Sequence, residues 1–330
     1  MITIKEIAER ANVSRTTVSR VLNKSGYVSE EARKRVQKVI EETGYVPSEH
    51  AKSLRTKKTN VIGVVLPKIS TETSSRLVKG MDEIFAKEGY QILLANTNLE
   101  PEKEIEYLRL LKSRHVDGII LSATTINPSL VEEIYNLNIP FVAVGQSISG
   151  LTNVILDDYQ ATKDMVDFLI QKGHKQIAFI GVDERDRAVG YLRKAGYLDA
   201  MRENNLAVES TWVQKGEFNV ESGFECMSQI LGTSEKQPTA VLAVTDRLAI
   251  GALQRIKESG LSIPEDISLA GMGASEFSRY VTPALTTIDF SIEEAGREAA
   301  ALILRKIGGE NDHGMNITIP YRLIERASVQ

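Results

Sequence analysis

The sequence predicts an α/β protein with a small N-terminal unit of three short helices, followed by two open, mostly parallel sheets with helices on both faces. Two observations predict this fold. The first 45 residues carry helix-capping signals and apolar residues at helical spacing. From Val61 onward, β-branched runs alternate with amphipathic segments in two successive series, the pattern of repeated β-α-β units. With 330 residues, the chain is long enough for two or three domains.

The composition is that of an ordinary globular protein, with 42% hydrophobic residues and a single cysteine, Cys226. One cysteine excludes an internal disulfide framework and fits a reducing compartment. The N-terminus lacks the apolar core of a secretory signal, and no apolar run reaches the roughly 18 residues of a membrane span. We therefore expect a cytoplasmic protein with no membrane partner.

Charge is divided unevenly along the chain. Residues 1–60 contain 13 basic and 7 acidic side chains, a net charge of +6, and the other 270 residues carry 27 basic and 37 acidic side chains, a net charge of −10. A basic N-terminal segment favours a polyanionic partner. Chance clustering or a solvated helical face would give the same charge, so the shape of the segment has to decide.

Three helices are predicted in this segment. Thr3 to Glu6 forms a capping box, so the first helix begins near residue 4. After a connection of three or four residues, Ser14 is the N-cap of a second helix that begins at Arg15. The third helix runs from Ser29 or Glu30 to Gly44, where glycine favours a stop.

The second helix separates its side chains into two faces at 100° per residue. Its aliphatic face holds Val18, Val21 and Leu22, and its polar face, which has no acid, holds Arg15, Thr16, Ser19, Arg20 and Asn23. A generic helical bundle would also bury such an apolar stripe, but it would not require the acid-free polar face. The pattern favours a helix-turn-helix whose second helix enters a DNA major groove.

Residues 48–58 have one large apolar side chain, Leu54, in a basic stretch about two helical turns long. Two interpretations stay open. The segment is a flexible linker, since so short a helix is marginal in water, or it is a hinge that folds on DNA. In the hinge, Leu54 inserts between base pairs in the minor groove while Lys52, Arg55 and Lys57 bind phosphates.

The rest of the chain is predicted as two β-α series. The first has strands at 61–66, 91–95, 118–121 and 141–144, with helices near 73–88, 101–114 and 129–137. The second has strands at 176–180, 211–213, 240–243 and 268–270, with helices near 160–171, 188–204, 220–231 and 246–259. This arrangement resembles the periplasmic sugar-binding fold, in which the chain crosses between two lobes more than once, and the resemblance implies that residues 285–289 and a helix at 292–307 return to the first lobe.

The sequence resembles the LacI/GalR family of bacterial transcriptional regulators over essentially its entire length. The resemblance is carried by the runs Thr3–Ala8, Val13–Asn23, Val28–Ser29, Gly44–Ser48, Ala51–Leu54, Val61–Val64, Val116–Ile120, Gly173–Ala178, Thr245–Ala252 and Leu285–Ile288. It implies a DNA-binding domain at 1–47, a hinge at 48–60 and a two-lobed domain similar to periplasmic binding proteins at 61–330. The first lobe would comprise 61–158 and 291–320, and the second 159–290 and 321–330.

The resemblance implies two sets of binding residues. The second helix would read the operator, with specificity at Arg15, Thr16 and Arg20, and Leu54 would insert at the operator centre. The predicted DNA-binding residues are Thr3, Ser14, Arg15, Thr16, Ser19, Arg20, Asn23, Lys52, Leu54 and Arg55. The predicted effector-binding residues, in the cleft between lobes, are Arg193, Phe218, Thr245, Asp246, Glu276 and Phe290. Each has a plainer interpretation: surface arginine, core phenylalanine or helix cap.

Gly271 to Glu276 departs from the family, because the carboxylate that usually follows the last strand of the second lobe is missing. Either Glu276 or Asp246 would have to replace it. This stretch, with Thr287 to Phe290 and Glu294 to Arg297, is similar to the sucrose- and trehalose-responsive branches. Lys68 and Arg76 near the cleft would also suit a sugar phosphate.

The resemblance implies a homodimeric repressor that binds a palindromic operator and is released by a small sugar or sugar phosphate. A corepressed or broad catabolite regulator of the same family is an alternative, and a solute-binding protein without DNA function is another. The sequence shows no nucleophile motif, metal-ligand set or phosphate-binding loop, so we expect neither an enzyme nor a cofactor or metal. Because no heptad tail follows, a dimer rather than a tetramer is expected.

Overall fold

A computed structural model describes residues 2–45, 58–233, 236–310 and 314–330. The chain divides between Thr59 and Asn60 into two compact units. The predicted hinge residues Lys52, Leu54 and Arg55 lie outside the described residues.

The N-terminal unit contains the three predicted helices, α1 (Ile4–Arg10), α2 (Arg15–Leu22) and α3 (Glu30–Thr43). Their inward faces meet at a small core that includes the fully buried side chains of Ile7, Val18 and Val36. α3 ends where predicted, because Gly44 adopts the left-handed conformation (φ 60°) that glycine accommodates without a steric cost.

The second unit contains two six-stranded sheets, and the first of them defines one lobe. Its strands are β1 (Val61–Leu66), β2 (Gln91–Asn96), β3 (Gly118–Ser122), β4 (Phe141–Val144), β5 (Thr152–Leu156) and β11 (Asn316–Ile319). They pair in the order β11-β5-β4-β3-β1-β2, all parallel. The helices of this lobe are α4 (Glu72–Glu88), α5 (Pro101–Ser113), α6 (Pro128–Leu137) and α11 (Ile292–Ile307).

The second sheet defines the other lobe. Its strands are β6 (Ile177–Gly181), β7 (Val213–Lys215), β8 (Ala240–Ala243), β9 (Ser268–Met272), β10 (Thr286–Asp289) and β12 (Arg322–Ile324). They pair in the order β12-β10-β9-β8-β6-β7, and only the β10–β12 pair is antiparallel. The helices are α7 (Asp158–Gln171), α8 (Arg193–Glu203), α9 (Val220–Thr233) and α10 (Asp246–Glu258), with a π-helical segment at Arg187–Leu192.

The chain passes between the sheets three times, after β5, after β10 and after β11. α11 packs against α4 so closely that a Cβ at Gly80 would lie 2.0 Å from the Glu293 carbonyl oxygen. A backbone approach of this kind is available only to glycine. The crossings fix a cleft between the lobes at the carboxyl ends of their parallel strands.

The architecture confirms the predicted α/β fold, but several elements differ from the expectation. Residues 285–289 do not return to the first lobe: β10 stays in the second sheet, and only α11 packs on the first. The strand expected at 211–213 is a 3-10 turn at Ser210–Trp212 followed by β7, because Trp212 turns inward and is buried. The helix expected at 188–204 begins as the π-helical segment Arg187–Leu192 and continues as an α-helix only from Arg193.

Strands β5, β11 and β12 were not predicted from the sequence. β11 and β12 are edge strands of four and three residues with mixed burial, so they lack the apolar run that marks a central strand. Across the described part of the chain, no helix is both long and apolar enough to cross a membrane.

Candidate functional site

The polar face of α2 is open to solvent in the N-terminal unit. Arg15, Thr16, Arg20 and Asn23 are exposed and Ser19 is half-buried, whereas the opposite face is anchored in the core by Val18. The helix therefore presents hydrogen-bond donors on a rigid support, as a helix that reads base edges must.

Three of the predicted DNA-binding residues also have structural roles. Thr3 and Glu6 form the predicted capping box on α1, with the Thr3 amide donating to the Glu6 carboxylate at 2.7 Å. Ser14 caps α2 by accepting from the Thr17 amide at 3.1 Å. At the other end, the Asn23 side-chain amide donates to the Ser19 carbonyl at 2.7 Å. Both ends of the reading helix are thus held by side chains.

Sequence reasoning missed Tyr27, which lies in the turn between α2 and α3 and is 87% exposed. It follows Gly26, whose backbone has φ of 66° and whose added Cβ would lie 3.4 Å from Cδ and Nε of Arg20. The sequence signal that could have identified Tyr27 is an aromatic residue directly after a Ser-Gly turn. Gly26 thus packs beside Arg20, and Tyr27 is the exposed residue that follows it.

The second candidate site is a cavity of about 1220 Å³ between the two lobes. All six residues predicted for effector binding line it: Arg193, Phe218, Thr245, Asp246, Glu276 and Phe290. They come from separate elements of the second lobe, so the fold brings together residues that are up to about a hundred positions apart in the sequence.

Arg193 forms a buried ion pair with Asp158. Its Nε and Nη2 atoms both lie 2.7 Å from Oδ1 of Asp158, and its Nη1 donates to the Val244 carbonyl. The guanidinium also lies 4.6 Å from the ring centroid of Phe290. Burial raises the pKa of Asp158, and the charge of Arg193 opposes that rise.

The π-helical segment directly before Arg193 directs this side chain. Asp186 accepts from the Val189 amide at 2.9 Å, and a Cβ at Gly190 would lie 2.1 Å from the Asp183 carbonyl oxygen. Burial raises the pKa of Asp186. π-helical turns are uncommon, and those that occur are often found at functional sites. This one directly precedes Arg193, which pairs with Asp158 at the start of α7.

Asp246 organises the wall of the cleft from within. Its Oδ1 accepts from the Thr287 hydroxyl at 2.6 Å and its Oδ2 from the Ser275 amide at 2.5 Å. Burial raises its pKa, and these hydrogen bonds act against the rise. Thr245, not Asp246, is the N-cap of α10, with its hydroxyl accepting from the Leu248 amide at 3.3 Å.

Several interactions join the lobes across the cleft. The Glu72 carboxylate accepts from the Glu276 amide at 2.9 Å, and Arg247 donates to the Ser70 carbonyl at 2.9 Å. Arg76 donates to the Gly273 carbonyl at 3.1 Å and lies 3.3 Å from Asp289. Most of these bonds reach backbone atoms of the opposite lobe, so they depend on the relative pose of the lobes.

Asp289, at the end of β10, interacts with residues from several neighbouring elements. Burial opposes its ionisation, but the Ser291 amide, Arg322 and Arg76 outweigh burial, so its pKa lies below the usual value. Ser291 follows in the left-handed conformation, with φ of 51°, at the start of α11. No pattern in the sequence indicated that Ser291, Arg322 and Arg76 are the partners of Asp289.

Charged side chains of both signs line the cavity. Its basic residues are Lys68, Arg76, Lys79, Arg193, Arg247 and Arg279, and its acidic residues are Glu72, Asp158, Asp186, Asp246, Glu276, Asp289 and Glu293. The lining therefore has no net positive charge. No group of three or more His, Cys, Asp or Glu side chains in the described ranges could hold a metal ion.

A rigid helix with an open donor face and a separate two-lobed cleft for a small molecule define the class of ligand-controlled DNA-binding proteins. Comparison with known proteins agrees. Residues 3–48 match the family described as bacterial regulatory proteins, lacI family, and residues 166–329 match a periplasmic binding protein-like domain.

The HTH-type transcriptional repressor PurR of Klebsiella pneumoniae (strain 342) is 35% identical over 100% of this chain and 97% of its own length. The lac repressor dimer bound to operator and the anti-inducer ONPF superimposes with a TM-score of 0.88 at 26% identity, over 99% of this chain and 98% of that one. The CelR–cellobiose complex gives a TM-score of 0.75 at 27% identity, over 99% and 100%.

The chain belongs to the LacI family of bacterial regulatory proteins. It is a DNA-binding transcriptional repressor and not an enzyme. The comparisons do not support the expected likeness to the sucrose- and trehalose-responsive branches in particular, since the relative that is 35% identical over the whole chain carries the name PurR.

Proposed function

We propose that this repressor acts in the cytoplasm as a homodimer on a palindromic operator and is released when a small, uncharged sugar occupies the cleft. The observation that carries the proposal is the cleft wall, where the buried Arg193–Asp158 pair lies beside the ring of Phe290. Charged groups that accept and donate hydrogen bonds, next to an aromatic face, suit a ring that carries hydroxyl groups.

The charges of the cleft favour an uncharged sugar over a sugar phosphate. Of the two basic residues that the sequence offered for a phosphate, Arg76 is engaged by Asp289 and by two backbone carbonyls, and Lys68 also lines the cavity. The lining holds seven carboxylates against six basic side chains, so it has no excess of positive charge to attract a phosphate. The relative in complex with cellobiose holds a disaccharide.

Exposed apolar side chains support a dimer. Leu93 and Leu94 lie on β2, an edge strand of the first sheet, and are each 40% exposed. Phe277 and Tyr280 at the cleft mouth are 69% and 75% exposed. Apolar surface at a sheet edge is normally covered, and a second copy of the chain would cover it. In a dimer on a palindromic operator, the two α2 helices would lie about one helical turn of DNA apart, roughly 34 Å.

A thermal-shift screen of the full chain tests the effector. An uncharged mono- or disaccharide at about 100 times its Kd should stabilise the folded state by about 2.7 kcal/mol and raise the Tm. Phe218→Ala should abolish the shift, whereas Phe168→Ala, a half-buried phenylalanine on α7 outside the cavity lining, should preserve it. Stabilisation by sugar phosphates alone would contradict the proposed class of effector.

The direction of control is tested by adding the stabilising sugar to a complex with a DNA site selected from random sequences. Induction predicts that the sugar lowers operator affinity. An increase in affinity would instead support the corepressed alternative, and the absence of any selected site would favour a solute-binding protein.

Leu54→Ala should weaken operator binding by about tenfold or more, because an inserted apolar side chain helps to offset the cost of unstacking and kinking the base step. Its salt dependence should stay unchanged, since no phosphate contact is lost. Arg55→Ala is the matched variant, and it should lower the slope of log K against log salt by about 0.9. Equal operator affinity for wild type and Leu54→Ala would reject insertion.

A further inference from the structure

Glu104 is a buried acid without a charged partner. It lies in the first turn of α5 on the stripe that also holds Leu108 and Leu111, and it is 1% exposed. Oε1 accepts from the Thr124 hydroxyl at 3.4 Å, and the Thr124 amide also donates to the carboxyl group. Oε2 is buried with no hydrogen-bond partner.

Gln146 holds the same segment from the other side. It is 4% exposed, and its Nε2 donates to the Ala123 carbonyl at 3.1 Å and to the Thr124 carbonyl. Its Oε1 is a second buried oxygen that has no partner. Glu104, Thr124 and Gln146 therefore form one buried polar unit, the Thr124 brace, with two unpartnered oxygens.

The Thr124 brace lies directly behind the cleft. Ser122, Ala123 and Thr124 all line the cavity. The next residue, Thr125, donates to the Arg185 carbonyl of the second lobe at 3.4 Å. The segment held by the brace thus forms part of the cleft wall and part of the contact between lobes.

We propose that Glu104 is a positioning residue of the effector cleft: as a neutral carboxylic acid it holds the segment 122–125 in place, and its ionisation releases that segment. The inference rests on the proposed function of the cleft. A neutral carboxyl group leaves no charge on the buried, unpartnered Oε2. An ionised carboxylate leaves a charged oxygen buried without a partner, which is costly.

The surroundings contain no charge that would stabilise the ionised form. Residues 61–67, 91–99, 118–127 and 141–151, which form the strands and loops facing α5, include no charged side chain. On α5 itself, Lys103 pairs with Glu100 at 2.7 Å and Glu106 is exposed. On α6, which packs against α5, Glu132 is exposed and Glu133 pairs with Arg109.

Burial raises the pKa of Glu104 from 4.5 to about 7, against the opposing effect of the Thr124 hydrogen bonds. The pKa of Glu104 is raised while the segment 122–125 is held in place, and it is ordinary when the segment is released. Low pH therefore favours the state in which the segment is held. This preference is complete below about pH 4.5 and is lost progressively as the pH rises through about 7. The segment 122–125 should therefore be held less firmly as the pH rises across this range.

Hydrogen exchange of the full-length wild type measures this without effector or DNA. After correction for the intrinsic exchange rate, protection of residues 118–127 should fall about tenfold or more between pH 5.5 and 7.5. Glu104→Gln should remove this pH dependence. Glu106→Gln, an exposed change on the same helix, should behave as wild type.

The same pH dependence in wild type and Glu104→Gln would overturn the inference. The wild type alone also tests it if the variant fails to fold: a pH response at 118–127 no larger than that of strand β8 in the other lobe would be equally decisive. Because the measurement needs neither sugar nor operator, it can fail while the proposed function holds, and the reverse.

Discussion

Replacement of Arg193 by methionine should destabilise the second unit by about 3–5 kcal/mol, the cost of leaving one member of a buried ion pair without its partner. The side chains of Arg193 and Asp158 are only 7% and 2% exposed, so water cannot replace the lost charge. Urea unfolding of the full chain measures the change. Sugar binding should be lost as well, since Arg193 is proposed to contact the ligand.

Lys194→Met is the matched control for this substitution. Lys194 is the next residue on α8 and pairs with Glu184 at 2.6 Å, but the two side chains are 32% and 51% exposed. An exposed pair contributes about 0–1 kcal/mol. A deficit in Arg193→Met no larger than that in Lys194→Met would show that the buried pair is not an important source of stability.

The deficit of Arg193→Met should also depend on pH. Without the arginine, burial alone acts on Asp158 and its pKa rises further. A raised pKa costs stability above the unfolded-state value of about 3.9, where the unfolded acid is ionised, and costs nothing below it. The deficit should therefore shrink as the pH falls toward 4, and the double variant Arg193→Met/Asp158→Asn should recover much of it at neutral pH.

Arg20→Ala should reduce affinity for the selected operator by about 5- to 150-fold, because a bidentate contact to guanine contributes about 1–3 kcal/mol of discrimination. The side chain is exposed on α2, so thermal unfolding of the N-terminal unit should barely change. Arg20→Lys should recover little, since an ammonium group lacks the planar pair of donors that matches a guanine edge. Gel shifts on the selected site and on scrambled DNA separate the two effects.

Lys34→Ala removes the same charge from an exposed position on α3. It should weaken specific and scrambled DNA alike, whereas Arg20→Ala should weaken the specific site selectively. If both variants lowered the two affinities in the same ratio, Arg20 would be a phosphate contact and not a determinant of sequence.

The contacts across the cleft depend on the relative orientation of the two lobes. Glu72, Arg76 and Arg247 bond to backbone atoms of the opposite lobe, so a small change in lobe orientation breaks several bonds together. Packed interfaces switch between discrete arrangements rather than deforming continuously. A coupling free energy of about 1–3 kcal/mol would suffice for the proposed control.

The sequence predicted the parts of this protein that depend on local chemistry. Neighbouring residues are enough to predict helix caps such as Ser14, the two faces of α2 and the central apolar strands. The structure contains each of these features. Six of the residues that line the cleft were also predicted, through resemblance to a family. The short edge strands β11 and β12 were missed, because three or four partly exposed residues carry too little pattern.

Partnership was decided only by the tertiary structure. Arg193 and Asp158 are separated by 34 other residues, Arg76 and Asp289 by more than two hundred, and no periodicity links either pair. From the sequence, Arg76 was expected to bind a phosphate and Asp246 a hydroxyl group. In the structure Arg76 pairs with Asp289. Asp246 accepts hydrogen bonds from Thr287 and Ser275. The sequence indicated six side chains that line the cleft. Burial and long-range packing decided which charges are already neutralised there, because a buried charge must find its partner within the fold.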